Sequence, residues 1–446
     1  MKINKYIILG PSRGIGGWQL YIDARHQHCV DLGYDTYVLS PQELNISPVQ
    51  LLSLKSGKII ELPELVYPYF VYSRCQIKRV IDTIKKKIDY SANDRIFIES
   101  TSMPYTMWGE ILAKELKAVN YGFILSSHIE NTPRDVQRFF EFKYDQHLLS
   151  GQTEITLAGL FTGYKNVDND KRGLNASWGP PICDFREDCQ VYIEEFRKAK
   201  EKEIKIVGYF GSLNKPHFKP LCVELRRYFD NHKDSNFLFV SIGSSTFSIS
   251  EKYQAEIMEK SSNVYCFNIP TLYPVPCDFF NLMDVCIASW GSANAAARVN
   301  KRVIRLMDDV NVIPQGIIGV TLRVNPFYKQ PVGEESLTEY LDNILYGNNY
   351  VNVEFADDVI YHAPDENENK QCIIDNTMKP FERVVSEYYD MNLIKSRSKL
   401  DKIESILCRC LGVKATIRIQ HFITQNKFLR KIFKNKKTLD TLHDKN

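Results

Sequence analysis

The 446-residue chain lacks most of the signals that fix a protein's class at a glance. No uncharged apolar run approaches the roughly 18 residues needed to cross a bilayer. The opening Met1-Lys2-Ile3-Asn4-Lys5 leads into a strand-like run without the apolar stretch of a secretory signal, so a cytoplasmic protein is expected. Eleven cysteines are an odd number, and no two stand in a Cys-x2-Cys pair. This excludes the common zinc half-site and a closed disulfide framework, and it fits thiols in a reducing compartment. Repeats of solenoid type are missing. Asp308-Asp309 is an adjacent pair rather than a metal-spaced one, and neither a metal nor any other cofactor is expected.

What is present is ordinary in amount and uneven in placement. Hydrophobic residues make up 44% and charged residues 25%, enough for a normal core. The length suggests two or three domains. The net charge is only +3, yet from Lys395 onward 14 Lys/Arg face 4 Asp/Glu. Such a basic end suits an anionic partner. Within it, Lys427 to Lys437 interleaves six cations with Phe428, Leu429, Ile432 and Phe433. On a helix these four share a face, as in segments that lie on anionic membranes, so residues 427–437 are expected at a membrane surface. No motif of nucleic-acid binding accompanies the charge.

Strand and helix signals alternate along the chain. Tyr6–Leu9, Thr36–Leu39, Arg95–Glu99 and Phe123–Leu125 read as short buried strands, with helix-like runs from Trp18 to Leu32 and Met107 to Val119. The plan restarts after the charged run Lys198–Glu203, which suits a linker. Ile204–Phe210 then reads as a new first strand, followed by a helix over Leu221–Phe229 and strands at Phe237–Val240, Asn263–Phe267, Asp284–Ala288 and Arg302–Leu306. Alternation of this kind predicts an α/β protein of two tandem Rossmann-like domains, with ligands at the carboxyl ends of the strands. The expected boundaries are 1–197, 204–375, a crossover helix over 376–394 returning to the first domain, and a basic tail over 395–446 that is expected to include a membrane-surface segment.

Gly10-Pro-Ser-Arg-Gly-Ile-Gly-Gly17 is the sharpest local pattern. Glycines between a strand and a helix let backbone N–H groups approach an anion at the helix N-terminus. The same spacing occurs in short-chain dehydrogenases. Those enzymes need a Tyr-x3-Lys pair for proton movement, and here no tyrosine has a lysine four residues on. That reading is therefore disfavoured.

Several segments together resemble the GT-B glycosyltransferases, most closely the family-four-like enzymes of bacterial capsule and lipopolysaccharide synthesis. Gly14-Ile15-Gly16-Gly17-Trp18 is similar to the family's first glycine loop, and Phe123–His128 to its strand ending in a histidine. Val207–Leu213 looks like the opening of the donor domain, and Met283–Ser289 like the strand before the donor-phosphate loop. The resemblance implies a cleft between the domains, and a sugar moved from a nucleotide-sugar donor to a glycan or lipid-linked acceptor. It departs from the family at Ser292–Arg298, where a glutamate pair is usual, and at Ser212, where an arginine is usual.

On this footing the expected donor-binding residues are Gly16, Gly17, Gly211, Ser212, Lys215, Ser289, Gly291, Ser292 and Asn294. They supply N–H groups, helix starts and one full charge for a departing diphosphate. His128 and Glu130 are the expected catalytic pair, and Arg13, Gly14 and Glu99 are expected to border the acceptor. His26 and His28 are expected at the surface of the first helix. The enzyme would act in the cytoplasm, or peripherally on the inner face of the plasma membrane. A nucleotide-sugar epimerase of the same fold and a non-catalytic partner subunit are the alternatives.

Overall fold

A computed structural model describes residues 4–42, 51–125, 132–151, 157, 160, 182–243, 256, 261–270, 272–324, 331–347, 350, 353–360, 366–382, 388–395 and 398–425. The chain divides into two compact units, Met1–Gly179 with Ala363–Asn446, and Pro180–His362. Among the described residues no helix is long and apolar enough to cross a membrane.

The first unit begins with β1 (Lys5–Leu9), α1 (Gly17–Asp31), β2 (Asp35–Pro41), α2 (Leu52–Ser56) and β3 (Lys58–Leu62). There follow α3 (Arg74–Lys87), β4 (Ile96–Ser100), α4 (Met103–Leu116), β5 (Val119–Ile124), α5 (Arg134–Asp145) and β6 (Leu149–Gly151). The strands form one sheet in the order β3-β2-β1-β4-β5-β6, and every pairing is parallel. β1, β4 and β5 are buried at every position, as strands covered on both faces must be. α3 opens on a capping box between Ser73 and Gln76 and buries Val80, Ile81 and Ile84 along one stripe.

The second unit comprises β7 (Ile182–Cys183), α6 (Gln190–Glu201), β8 (Lys205–Phe210), α7 (Phe218–Asn231), β9 (Phe237–Ile242) and β10 (Val264–Ile269). It continues through β11 (Val275–Pro276), α8 (Cys277–Leu282), β12 (Val285–Ser289), α9 (Trp290–Ala297), β13 (Val303–Leu306), β14 (Pro314–Ile317) and α10 (Leu337–Leu345). Its main sheet runs β10-β9-β8-β12-β13-β14, parallel except for the last pair, where the register shifts at Arg305/Leu306. Both sheets thus follow one winding, in which the chain reverses direction beside the first strand. The reversal falls at the carboxyl ends of β1 and β4 in one unit, and of β8 and β12 in the other, the place where open α/β sheets take ligands.

Three segments differ from expectation. Lys198–Glu201 is the last turn of α6 rather than a linker, because Ile193, Phe196 and Ala199 recur on one face and bury it in the second unit. The chain's return to the first unit begins at 363. α11 (Glu366–Glu382) sends Ile373 into the first core and pairs Lys370 with Asp31 at 3.1 Å. Much of the presumed tail is folded: α12 (Lys399–Cys410) and α13 (Val413–Gln425) bury Cys408 and Val413 in that unit's other core.

Candidate functional site

In the first unit the glycine loop leaves β1 and turns into α1. Gly14 has φ +90°, a left-handed conformation that favours glycine. Gly16 is the extended N-cap residue of α1; no side chain caps the helix, and its first turn carries no acid. The first N–H groups of α1, from Gly17 on, are therefore bare of protein acceptors of the usual capping kind. The loop is pinned from β2, since Ser12 N and Oγ both donate to Ser40 Oγ at 2.9 Å. Arg13 is half-buried and pairs with Glu61 of β3. The neighbouring loop after β4 closes in through Thr101 Oγ1, which donates to Leu9 O at 3.0 Å.

Glu99 lies below this edge with no exposed surface. Its carboxylate accepts from the Tyr6 and Tyr21 hydroxyls and stands 3.4 Å from Arg25 Nε. Burial first, then the Glu99 charge, push both phenols well above their usual range. Strand-end position suggests a ligand contact for Glu99; the structure places it inside the domain among three polar partners. His26 and His28 are buried rather than at the surface, and His26 Nδ1 meets Ser53 Oγ at 2.6 Å, because α2 packs over that side of α1. His128 and Glu130, together with the 427–437 segment, lie outside the described residues.

The second unit gathers most of the remaining candidates. Gly211 leaves β8 at φ +148°, and a side chain there would meet Ser292 Oγ at 3.6 Å. The loop after β8 and the first turn of α9 therefore lie against one another. α9 starts from the extended N-cap Ser289, again with no side-chain cap and no acid in its first turn. Trp290 holds φ +49°, an uncommon conformation for a bulky residue and one that concentrates at functional turns. Gly291 is exposed and Ser292 half-buried, whereas Ser289 and Asn294 are buried. Ser212 is exposed on the rim.

Lys215 projects from the same loop and forms an ion pair with Asp308 at 2.5 Å. Asp308 is thus a partner of the loop rather than part of an exposed turn. Behind the pair lies His217, fully buried, with Nε2 3.2 Å from the Tyr209 hydroxyl and Nδ1 3.9 Å from Asp308 Oδ1. Burial pulls the His217 pKa down to about 4 against the opposing pull of Asp308. Under Trp290 lies a second element that sequence reasoning missed. Arg305 is buried in β13, its guanidinium 5.5 Å from the Trp290 ring centre and its Nε donating to Gln315 Oε1 at 2.6 Å. Burial lowers its pKa to about 10. The available signal was an arginine inside the apolar run Val303-Ile304-Arg305-Leu306.

This edge has features that suit contact with an anion. It offers the bare start of a helix, small residues permitting close approach, and a lysine held in place by a carboxylate. The expectation of metal-free chemistry overlooks one spacing: Asp168-Asn169-Asp170 is an Asp-x-Asp, and it lies outside the described residues.

No protein-family model matches this chain, and no curated protein does. Solved structures match it in fold. A trehalose-6-phosphate synthase (OtsA) superimposes with a TM-score of 0.50 at 14% identity, covering 84% of this chain and 99% of its own. A glycosyltransferase from Rickettsia africae ESF-5 gives 0.49 at 13% identity over 92% and 99%. A UDP-GlcNAc 2-epimerase from Methanocaldococcus jannaschii gives 0.46 at 12% over 84% and 100%. At such identities the first likeness speaks to fold alone, and the other two carry no weight in the argument. Together with the two sheets, it establishes a GT-B fold of two Rossmann-like domains in tandem.

Proposed function

We propose that the protein is a glycosyltransferase of family-four-like type. It would move a sugar from a nucleotide-sugar to a glycan or lipid-linked acceptor in bacterial capsule or lipopolysaccharide assembly. The observation that carries this reading is the paired edge of the second unit, where Gly211 and Ser292 bring a glycine turn against the uncapped start of α9. A nucleoside diphosphate leaving group develops negative charge as the sugar–phosphate bond breaks. Backbone N–H groups at Gly291 and Ser292 and the Lys215 ammonium would meet that charge, with Asp308 fixing the lysine. The acceptor hydroxyl forms the new bond to the anomeric carbon and gives up its proton to His128 or Glu130. Gly14, Gly16, Gly17 and Arg13 line the corresponding edge of the first unit, and we assign them to acceptor or phosphate contacts. Glu99 holds the framework beneath them. No metal is included in this scheme. Peripheral binding to the inner face of the plasma membrane through 427–437 completes the proposal.

The test is a panel of nucleoside diphosphates and their sugars, read by melting temperature and by release of free nucleotide. At least one diphosphate is expected to raise the melting temperature, and its sugar to release nucleotide slowly. Lys215→Ala should weaken that diphosphate about tenfold, the scale of one charge-assisted contact. An isomerised donor would instead assign an epimerase, and absence of binding by any nucleotide would overturn the reading.

A further inference from the structure

The C-terminal hairpin carries an outward face that none of the described residues covers. Its inward side is well tied. Ser405 Oγ donates to Val71 O at 2.9 Å, Gln76 Nε2 donates to Cys408 O at 3.3 Å, and Tyr67 donates to Gln420 Oε1 at 2.5 Å. Glu404, Cys408, Val413 and Thr416 are buried along that side. The outward side of α12 is the stripe Lys402, Ile403, Ile406, Arg409 and Cys410, all exposed and recurring with helical spacing. On α13, Lys414, Arg418 and Phe422 are exposed at successive four-residue steps.

Two properties of this side stand out. Ile403, Ile406 and Phe422 are 51%, 62% and 62% exposed on helices whose other faces already supply the core, and Leu411 between the two helices is 54% exposed. A surface helix normally turns such residues inward. Lys402, Arg409, Lys414 and Arg418 interleave with them, and no carboxylate shares the stripes. Asp401 is engaged with the Ser398 cap, and Glu404 is buried and accepts from Gln420 at 2.7 Å. Uncovered apolar residues set among unopposed cations match one class of partner closely, a lipid surface with anionic headgroups. An acidic macromolecule would use the cations and leave the isoleucines and Phe422 unexplained. A second copy meeting the same face about a two-fold axis would bring cations against cations.

We propose that the outward face of the α12–α13 hairpin docks the protein on an anionic lipid surface. Ile403, Ile406 and Phe422 enter the acyl boundary, and Lys402, Arg409, Lys414 and Arg418 meet the headgroups. The inference deepens the membrane binding proposed above and rests on that part of the reading, not on sugar transfer; its residues are separate from 427–437.

The experiment uses the full chain and phosphatidylcholine vesicles with and without phosphatidylglycerol, read by co-sedimentation. Binding is expected only with phosphatidylglycerol, falling as salt is raised. Ile406→Asp combined with Phe422→Asp should reduce partitioning about tenfold or more with an unchanged melting temperature, since both side chains are exposed. In a second measurement Phe422→Trp should add fluorescence that is quenched by lipids brominated on their acyl chains. Absence of binding by the full chain overturns the proposal, as does full binding by the double variant. So does added fluorescence in the Phe422→Trp variant that those lipids leave unquenched, or a loss produced only by neutralising Lys431, Lys434 and Lys436. A concentration-dependent dimer or RNA binding that the double variant abolishes would assign the face to another partner and equally overturn it.

Discussion

His217 shows how one buried residue can be both inconspicuous in sequence and informative in structure. It precedes α7 directly, has no exposed surface, and rests between the Tyr209 hydroxyl and the Asp308 carboxylate. With its pKa lowered to about 4 by burial, it stays neutral in the fold where an unfolded chain would take up a proton below its ordinary value. Above that ordinary value neither state is protonated and the residue has no effect on the pH dependence. As pH falls from about 6.5 to 4 the unfolded state alone gains the proton, so stability declines by about 1.4 kcal/mol per pH unit. His217→Asn should remove this contribution. Urea unfolding of the second domain at pH 7 and pH 5 should show a fall smaller by about 2 kcal/mol in the variant than in the parent chain. An equal fall in both would show that His217 is not held neutral. Strand-end position alone marks Glu99 for a ligand in the same way that a six-residue distance from Gly211 conceals His217. In each case burial decides the role, and burial depends on neighbours far away in sequence.

At the scale of elements, legibility follows how local the cause is. β1, β2, β4, β8 and β12 are visible because a strand buried on both faces is a continuous apolar run. The turn after β1 is visible because Gly14 sits where φ is positive. α6 is hidden by its charged last turn, although its core contacts are spaced three apart at Ile193, Phe196 and Ala199. The hairpin of α12 and α13 is hidden by its own basic composition, since a run of cations reads as a solvated end. Helix α10 depends on a local device that the sequence states outright. Ser336 Oγ accepts from Glu339 N, and Glu339 in turn accepts from Ser336 N at 2.7 Å. Ser336→Ala should cost about 1 kcal/mol of second-domain stability, whereas Ser336→Asp should cost much less because aspartate is also a good N-cap. Urea midpoints of the two variants, compared at fixed slope, check this; equal losses would show that the cap hydrogen bond is not what matters.

At the scale of the whole molecule the two units have different claims to independence. The second is continuous in sequence, from Pro180 to His362, and carries apolar clusters on both faces of its sheet. The first is split. Its core takes Ile373, Ile394, Cys408 and Val413 from the returning segment, and Tyr389 N donates to the buried Glu110 at 3.0 Å. Burial alone would raise the Glu110 pKa, but Lys143, that N–H and Asn120 together hold it lowered. Without the returning segment a buried carboxylate loses one of its donors, and the apolar faces of α1 and α4 lose part of their cover. Residues 180–362 produced alone should therefore unfold cooperatively, with near-ultraviolet circular dichroism showing fixed aromatic side chains. Residues 1–179 produced alone should lack that signature and bind a hydrophobic dye, and should recover the signature when residues 363–446 are supplied in the same cell. A cooperative melt of 1–179 alone would show that the return of the chain is an addition to a finished domain rather than part of its core.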